Sequence, residues 1–244
     1  MTKIFRCALI ISLMFAAAGP ASAEGFFDMF VGGATFAPVN ATESSVVKKQ
    51  STGLRIGNGP DDQSMSHLQV GSSIAGGLRV GAMHKWERFS LGGAFVTDFY
   101  SAKAKYPYPA TGSLSTAEQG GFVIQPGVDL IAGIPLRFVR LYGGAGLCTP
   151  LMSYTYTSFN FTNNTYSPNT PGLSGALGYN LFVGGRWLIS NHFNLFMEDR
   201  FTNLITPLVI KNSVYSGTGN FTDSSFTFKT LNSNRIVAGV GFSW

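Results

Sequence analysis

The sequence predicts an all-β fold, an eight-stranded antiparallel transmembrane up-and-down β-barrel, and three observations support this prediction. The carboxy-terminal segment 234–244 alternates apolar residues with arginine, glycine and serine, as an amphipathic strand does. Short turns alternate with long polar connections along the chain, which is the layout of an outer-membrane barrel. The composition combines 30 Gly and 21 Phe with only 12% charged residues. This balance is typical of closely packed strands with aromatic girdles.

The amino terminus resembles a secretory signal peptide over residues 1–23, which leaves 24–244 as the barrel. Lys3 and Arg6 charge its start, an apolar run covers 7–18, and small residues at 21–23 form a cleavage site. The apolar run is shorter than the roughly 20 residues that a spanning helix requires. We therefore expect an exported protein with no helical membrane span.

Cysteine content and charge exclude two other classes of protein. Export would leave Cys148 as the remaining cysteine, so no intramolecular disulfide is expected, although secreted soluble domains often depend on disulfides. The formal net charge is +5, and two of the basic residues lie in the predicted signal peptide. So mild an excess does not favour nucleic acid as a partner.

Eight strands follow from the alternating runs and the breaks between them. The predicted strands are 26–37, 68–84, 88–100, 119–134, 139–156, 173–190, 193–206 and 232–244. The short turns lie at 84–88, 134–137 and 190–192, and the long polar loops at 38–67, 101–118, 157–172 and 207–231. An even number of strands puts both termini on the periplasmic side. Pro126 and Pro150 lack the ladder donor and are expected to mark bulges or distortions.

Six of the predicted strands show an apolar face, which is expected to contact lipid. These faces comprise Ile74, Leu78, Val80 and Ala82 in the second strand; Phe89, Leu91, Phe95 and Phe99 in the third; Phe122, Ile124, Val128, Leu130 and Ile134 in the fourth; Leu141, Ala145, Leu147 and Leu151 in the fifth; Tyr179, Leu181, Val183, Trp187 and Ile189 in the sixth; and Ile236, Ala238, Val240, Phe242 and Trp244 in the eighth. The opposite faces are small and polar, so they are expected to line the lumen.

Charged residues fall on the inward faces in equal numbers of each sign. This lumen charge network consists of Asp28, Asp98, Asp129 and Glu198 with Arg79, Arg186, Arg200 and Arg235. We expect Arg186 to pair with Glu198 on the adjacent strand, and Arg235 to lie towards Asp98 and Glu198. A salt-bridged plug is the favoured interpretation, because side chains can fill a barrel of this size. A proton path, ion path or gate is the alternative.

Asp199 contradicts the alternation, because it should face lipid if Glu198 and Arg200 face inwards. Either a bulge or a position near the outer interface would resolve this conflict.

Three sequence patterns are similar to those of small outer-membrane barrels. They are Phe30-Val31-Gly32-Gly33 in the first strand, Phe196-Met197-Glu198-Asp199-Arg200-Phe201 in the seventh, and Val240-Gly241-Phe242-Ser243-Trp244 in the last. The chain therefore resembles, over 24–244, the Gram-negative superfamily that includes the OmpA transmembrane domain, OmpX-like proteins and Opa-like opacity proteins. The resemblance implies a location in the outer membrane, in contact with its lipid and lipopolysaccharide. It also implies that the barrel-assembly machinery reads Phe242 and Trp244 as an assembly signal.

Catalytic and metal-binding groups are not expected. The three histidines, His67, His84 and His192, fall at opposite ends of the predicted barrel and cannot form one site. Ser190 and His192 are close in sequence but share a turn, without a following carboxylate to orient the base. No phosphate loop or CxxC pair is present in the sequence. We therefore expect no catalytic residue, no metal, no cofactor and no enzymatic activity.

The function is then expected to reside in the surface loops. The leading hypothesis is a structural or interaction protein of the cell surface, adhesin- or antigen-like, whose loops bind a host or envelope ligand. The alternatives are a narrow gated pore through the lumen and, less expected, an outer-membrane lipid-modifying enzyme. The aromatic residues of segment 154–166 fit either a binding surface or the outer aromatic girdle.

Overall fold

A computed structural model describes residues 23–49, 55–58, 63–107, 116–155, 159–160, 165–166, 171–216 and 220–244. The predicted signal peptide lies outside these residues, except for Ala23. The described part of the chain forms strands and turns. The strands are β1 Ala23–Phe36, β2 Val39–Lys49, β3 Arg55–Asn58, β4 Gln63–Val70, β5 Ser73–Lys85, β6 Ser90–Pro107, β7 Thr116–Pro135, β8 Val139–Cys148, β9 Leu151–Thr155, β10 Phe159–Asn160, β11 Thr165–Tyr166, β12 Pro171–Gly175, β13 Gly178–Leu188, β14 Phe193–Leu204, β15 Leu208–Ser216, β16 Asn220–Phe228 and β17 Ser233–Ser243.

Eight of these strands close into an antiparallel barrel, so the predicted fold class is confirmed. The order around the barrel is β1, β5, β6, β7, β8, β13, β14 and β17, and β17 pairs again with β1. At this closure the Trp244 amide donates to the Gly25 carbonyl at 3.0 Å, and the Gly25 amide donates back at 3.1 Å. Closure removes the free sheet edges that would otherwise expose unpaired backbone groups.

Three short turns define one end of the barrel, which we call the turn end. They lie at 86–89, 136–138 and 189–192, close to their predicted positions. The Trp86 amide donates to the Phe89 carbonyl at 2.8 Å, and the Leu136 amide donates to the Val139 carbonyl at the same distance. The opposite end carries the four longer connections and is called the loop end.

At the loop end the strands continue well beyond the predicted boundaries. The predicted loops 38–67, 101–118, 157–172 and 207–231 contain β2, β3, β10, β11, β15 and β16, together with parts of β4, β6, β7 and β12. The prediction of loops was therefore wrong over much of these segments. β15 and β16 form a regular hairpin from Leu208↔Phe228 to Ser216↔Asn220, and β16 then pairs with β2. Ser, Thr and Asn indicate contact with water, but they do not prevent a backbone ladder from extending.

The two prolines act differently. Pro150 interrupts the fifth barrel strand as predicted, since β8 ends at Cys148 and β9 begins at Leu151. Pro126 remains in continuous register with Thr97 of β6. The ladder between β7 and β8 stops at Gly127↔Cys148, and the Thr149 amide donates to the Pro126 carbonyl at 2.9 Å. The distortion is thus confined to one side of β7.

The lumen is filled with side chains at both ends. Towards the turn end lie two apolar clusters, Phe26, Met83, Ala94, Ile131, Tyr142 and Phe182, and Phe30, Val96, Phe196 and Val237. At the loop end a larger cluster, which we call the loop-end plug, comprises Ala34, Val39, Ala41, Leu68, Ala75, Tyr100, Ala102, Val123, Met152, Ala176, Leu204, Leu208, Ile210, Phe228 and Leu231. Polar side chains lie between and beside these apolar groups: Val96 is the cross-strand partner of Arg79, and Val237 is that of Glu198.

The outer wall carries a belt of exposed large apolar side chains. The apolar belt comprises Met29, Val31, Ile74, Leu78, Val80, Leu91, Phe122, Ile124, Val128, Leu130, Ile134, Leu141, Leu147, Leu181, Val183, Trp187, Leu195, Met197, Ile236, Val240 and Phe242. In water a continuous apolar surface of this extent would promote association. No helix within the described residues is long and apolar enough to cross a membrane.

Candidate functional site

The eight residues of the predicted charge network all lie inside the barrel, and all are buried. Strand register brings some of them together directly: Asp28 of β1 lies opposite Arg79 of β5, and Arg200 of β14 lies opposite Arg235 of β17. Glycine provides the space for the carboxylates. A Cβ atom at Gly241 would overlap Asp28 Oδ1, and one at Gly146 would overlap Asp129 Oδ1.

Asp28 joins two arginines on the turn-end side of the network. Its Oδ2 atom accepts from Arg79 Nε at 2.9 Å and from Arg186 Nη2 at 2.7 Å. The Arg79 guanidinium also lies 5.3 Å from the centre of the Phe196 ring, within cation–π range. One carboxylate and one aromatic face therefore hold two buried cations in place.

Glu198 occupies the centre of the network and uses both of its oxygens. Oε2 accepts from Arg79 Nη1 at 2.6 Å, and Oε1 accepts from Arg200 Nε at 2.9 Å. Arg200 then donates from Nη2 to Asp129 Oδ2 at 2.9 Å, and its guanidinium lies 4.7 Å from the Phe182 ring centre. Glu198 thus connects the two halves of the network.

Asp98 and Arg235 complete it towards the loop end. Arg235 Nη1 donates to Asp98 Oδ2 at 2.7 Å, and Arg200 Nη1 lies 3.9 Å from the same oxygen. The eight charged groups therefore form one continuous network of ion pairs. Networks of this kind are strong only when nearly every member is satisfied.

An uncharged polar layer separates the charges from the loop-end plug. Gln125 Nε2 donates to Asn180 Oδ1 at 3.1 Å, and its Oε1 accepts from the Tyr100 hydroxyl at 2.7 Å. Thr202 Oγ1 donates to the same Asn180 oxygen at 2.6 Å. Gln125, Asn180 and Tyr100 lie on the strand faces opposite the predicted lipid-facing residues, and all three are buried. Their mutual contacts depend on the register between strands, which composition does not reveal.

Two expectations for the charged residues have different outcomes. The expected Arg186–Glu198 pair was wrong: Arg186 binds Asp28, while Glu198 binds Arg79 and Arg200. The reason is register, since Glu198 lies opposite Gly184 and Arg186 lies opposite Phe196. The expected contact between Arg235 and Asp98 is present.

Asp199 faces outwards without a bulge. It lies in continuous register with Val183 on one side and Ile236 on the other, and its side chain is exposed. Of the two explanations that the sequence analysis gave for the conflict at Asp199, the bulge is therefore wrong. An acidic residue beside Val183 and Ile236 interrupts the apolar belt on this wall of the barrel.

Sequence reasoning missed a second polar group, at the turn-end mouth. Arg140 is buried beside the network, and Glu24 lies within 3.8 Å of it. Counting two residues back from inward-facing Tyr142 would have found Arg140. The sequence analysis assigned it no position, since it lies at the start of a strand directly after a turn.

The histidines lie apart in the structure. His84 packs edge-on against Trp86, and His192 stacks on Phe242, both at the turn end, whereas His67 belongs to β4 at the loop end. Within the described residues no group of His, Cys, Asp and Glu could hold a metal ion. The side chains of segment 154–166 lie outside those that the structure describes.

Phe242 and Trp244, the predicted assembly signal, lie on the outer wall next to the barrel closure. Their rings stack with centroids 6.3 Å apart, and both side chains are exposed. Gly25 provides room for the indole, because a Cβ atom there would lie 2.5 Å from Trp244 Cε2.

No protein-family model matches the sequence, and none of the curated proteins is significantly similar to it. Among solved structures, the chain is similar to Neisserial surface protein A, with 13% identity, a TM-score of 0.43 and coverage of 89% of this chain and 96% of that one. It is also similar to the outer membrane protease OmpT from Escherichia coli (10%, 0.42, coverage 92% and 98%). A third similar structure is Ail, the attachment invasion locus protein of Yersinia pestis, in complex with a heparin analogue (12%, 0.34, coverage 91% and 99%). Since these three TM-scores are below 0.5, the barrel is established by the strand pairing of this chain and not by these likenesses.

Proposed function

We propose that this chain is a protein of the bacterial outer membrane, whose barrel crosses the membrane with the turn end facing the periplasm. The support for this proposal is the apolar belt around a closed barrel. Such a belt is favourable only in the hydrocarbon core of a membrane, because transferring apolar side chains out of water lowers their free energy. Lipid and lipopolysaccharide are then the immediate surroundings of the wall.

We further propose that it acts as a structural or interaction protein of the cell surface, adhesin- or antigen-like. The observation that carries this proposal is the combination of a filled lumen with strands that continue beyond the belt. β15 and β16 alone add nine residue pairs, about 30 Å of ladder at roughly 3.3 Å per residue. A rigid scaffold of this kind suits the presentation of binding loops to a host or envelope ligand.

Shortening the loop-end hairpins is expected to abolish binding to host cells or matrix while leaving the barrel intact. Asn212 and Ser224 are register partners, so deleting 213–223 and joining the ends by Asn-Gly preserves the remaining ladder. Removal of 104–119, between the partners Lys103 and Gly120, does the same for β6 and β7. The measurement is adhesion of intact cells to immobilised extracellular-matrix extract, relative to cells lacking the protein.

Three controls make this experiment decisive. Heat-modifiable migration in gels shows whether each variant is folded, and Arg88→Gln alters a turn at the opposite end. Protease treatment of intact cells should cleave a site inserted at 217–219. Full adhesion by both shortened variants would contradict the proposed role of the loop end.

A gated pore is the second candidate, motivated by the continuous charge network. We expect the refolded protein to be silent in planar lipid bilayers, because the side chains of the loop-end plug and of the ion pairs occupy the lumen that the described residues form. Glu198→Ala and Arg186→Ala, which remove network side chains, are expected to remain silent because the plug is untouched. Stepwise conductance in the wild type that changes in either variant would favour the pore instead.

Phe242 and Trp244 are proposed to be the signal that the barrel-assembly machinery recognises. Both rings lie exposed on β17 or directly after it, at the closing strand pair. A partner acting before closure would find them accessible on β17, the strand that closes the barrel against β1.

A further inference from the structure

The closing strand β17 has no hairpin turn to fix its register. Short turns at the turn end join β5 to β6, β7 to β8 and β13 to β14. β17 is linked to its neighbour β14 only through 205–232, and its other neighbour, β1, is the first strand of the barrel. Turn geometry normally fixes the register of two antiparallel strands. The register of β17 therefore depends on contacts along the strand itself.

Local charge does not favour the observed register of β17. Arg235 lies directly opposite Arg200 of β14, and like charges in this arrangement are destabilising. A slip of β17 by two residues towards the turn end would keep every side chain on its own face, but it would place Arg235 opposite Glu198. The ion pair of Arg235 with Asp98 favours the observed register, but Asp98 belongs to β6, which is not a neighbour of β17. That pair can form only when the opposing wall of the barrel is in place.

Two aromatic residues at the end of β17 make contacts that depend on register. The Phe242 ring stacks on the imidazole of His192, in the turn between β13 and β14, with ring centroids 5.9 Å apart and planes inclined at 26°. The Trp244 indole lies over Gly25 of β1, where a Cβ atom would come within 2.5 Å of Trp244 Cε2. After the two-residue slip, Val240 would take the place of Phe242, and Phe242 that of Trp244. Both contacts would then be lost.

The backbone contacts of His192 are less specific than its ring contact. The Ser243 amide donates to the His192 carbonyl at 2.8 Å, and His192 Nδ1 lies 2.9 Å from the Ser243 carbonyl oxygen. Because a carbonyl oxygen only accepts, Nδ1 carries the proton in this hydrogen bond. Any residue with a backbone amide could replace Ser243 in both bonds, so they hold the strand end without selecting its register. The contact between the two rings is the part that distinguishes one register from another.

The turn holds His192 in position through hydrogen bonds of its own. The Ser190 hydroxyl oxygen accepts from the amides of His192 at 3.3 Å and Phe193 at 3.0 Å. The amides of Ile189 and Ser190 both donate to the Phe193 carbonyl at 3.0 Å. These bonds involve only the turn and the first residue of β14. The turn can therefore form before β17, which is distant in sequence, pairs with β14.

We propose that His192 is a positioning residue for closure of the barrel. Its ring, together with the open space over Gly25, receives the aromatic end of β17 and selects the observed register. Phe242 and Trp244 thereby have a role within the barrel itself, in addition to the proposed role in assembly. This role depends neither on the orientation of the barrel in the membrane nor on any assembly partner.

The test detects the slipped register by disulfide cross-linking while the chain refolds from urea into uncharged detergent micelles. A short oxidising pulse is applied at successive times to pairs of cysteines on the outer wall, in a Cys148→Ala background. Leu195→Cys with Val240→Cys reports the observed register, and Leu195→Cys with Ala238→Cys reports the slip towards the turn end. Met197→Cys with Val240→Cys reports a slip in the opposite direction. Directly opposite residues lie within reach of a disulfide, whereas residues offset by two do not.

Two substitutions of His192 separate its ring from its hydrogen bond. His192→Asn keeps a side-chain donor for the Ser243 carbonyl but lacks the ring. We expect it to raise the transient yield of the cross-link between positions 195 and 238 about fivefold, which is the order of effect of one aromatic pair. His192→Phe keeps a ring but lacks the donor, and it is expected to retain the wild-type yield. His84→Ala, which removes the ring that packs on Trp86 at another turn, is the matched control and is expected to change nothing.

The cross-link between positions 197 and 240 is expected to stay at the wild-type yield in every variant. If His192→Asn does not refold, Gly25→Ala carries the test, because its Cβ atom displaces the Trp244 indole and is expected to raise the same slipped yield. A slipped yield in His192→Asn or Gly25→Ala no higher than in the wild type would overturn the proposal, even if the variant is less stable. An equal increase in His192→Phe and His192→Asn would also overturn it.

Discussion

Glu198→Gln is expected to lower the free energy of unfolding by about 3 kcal/mol, because it leaves two buried arginines without their shared carboxylate. Arg79 and Arg200 bind opposite oxygens of Glu198, at 2.6 Å and 2.9 Å. Arg79 keeps Asp28, and Arg200 keeps Asp129 and the more distant Asp98, so the variant is expected to fold but to unfold at a lower urea concentration. Urea titration of the refolded protein in micelles measures the change.

Asp199→Asn is the matched control for this prediction. It removes the same charge one residue further along β14, but on the outer wall beside Val183 and Ile236. Removing a charge from a lipid-facing position is expected to be neutral or slightly stabilising. Equal destabilisation by the two substitutions would mean that the ion-pair network does not account for the effect.

Gly32→Ala is expected to destabilise the barrel by about 2 kcal/mol, through overpacking at its closure. A Cβ atom at Gly32 would overlap the Ile236 carbonyl oxygen and lie 2.7 Å from Val237 Cα, both backbone atoms of β17. Backbone atoms cannot move away as a flexible side chain can, so β1 and β17 would have to separate locally. We expect the variant to refold more slowly than the wild type and to reach the midpoint of unfolding at a lower urea concentration.

The neighbouring Gly33 provides the control, because a Cβ atom there meets nothing within 4 Å. Gly33→Ala is expected to be neutral or to stabilise by about 0.5 kcal/mol, since alanine restricts the unfolded chain more than glycine does. The two substitutions thus differ in sign although they are adjacent in sequence. A similar loss of stability in both would indicate a general requirement for glycine in β1 and no specific contact across the closure.

Much of the barrel could be predicted because its determinants are local. The alternation of apolar and polar residues along each strand gave the number of barrel strands, the outward and inward faces, and the inward position of all eight charged residues. Proline chemistry predicted the break at Pro150. The loop-end strands were missed because Ser, Thr and Asn are compatible with both loops and water-exposed ladders, and the choice depends on a partner strand distant in sequence. β16, for example, pairs with β2.

The candidate site shows the same limit. Which charges share the lumen follows from parity alone, since a residue two positions along a strand returns to the same face. Which acid meets which base depends on register and on side chains reaching across the barrel: Arg186 meets Asp28, from a strand that is not its neighbour, instead of Glu198 on the adjacent strand. Likewise, the outward orientation of Asp199 could be assigned only once the continuous pairing on both sides of β14 was known.

The sequence by itself determined that this chain forms a closed barrel with an apolar outer face and a polar inner face. The reason is that apolar and polar residues alternate with a period of two along each strand. Only the tertiary structure decided that the lumen is filled by one continuous ion-pair network below an apolar plug, and that Arg140 is buried at the turn-end mouth beside Glu24. Those features depend on distances between strands far apart in the chain, where a shift of two residues changes every partner without changing any face.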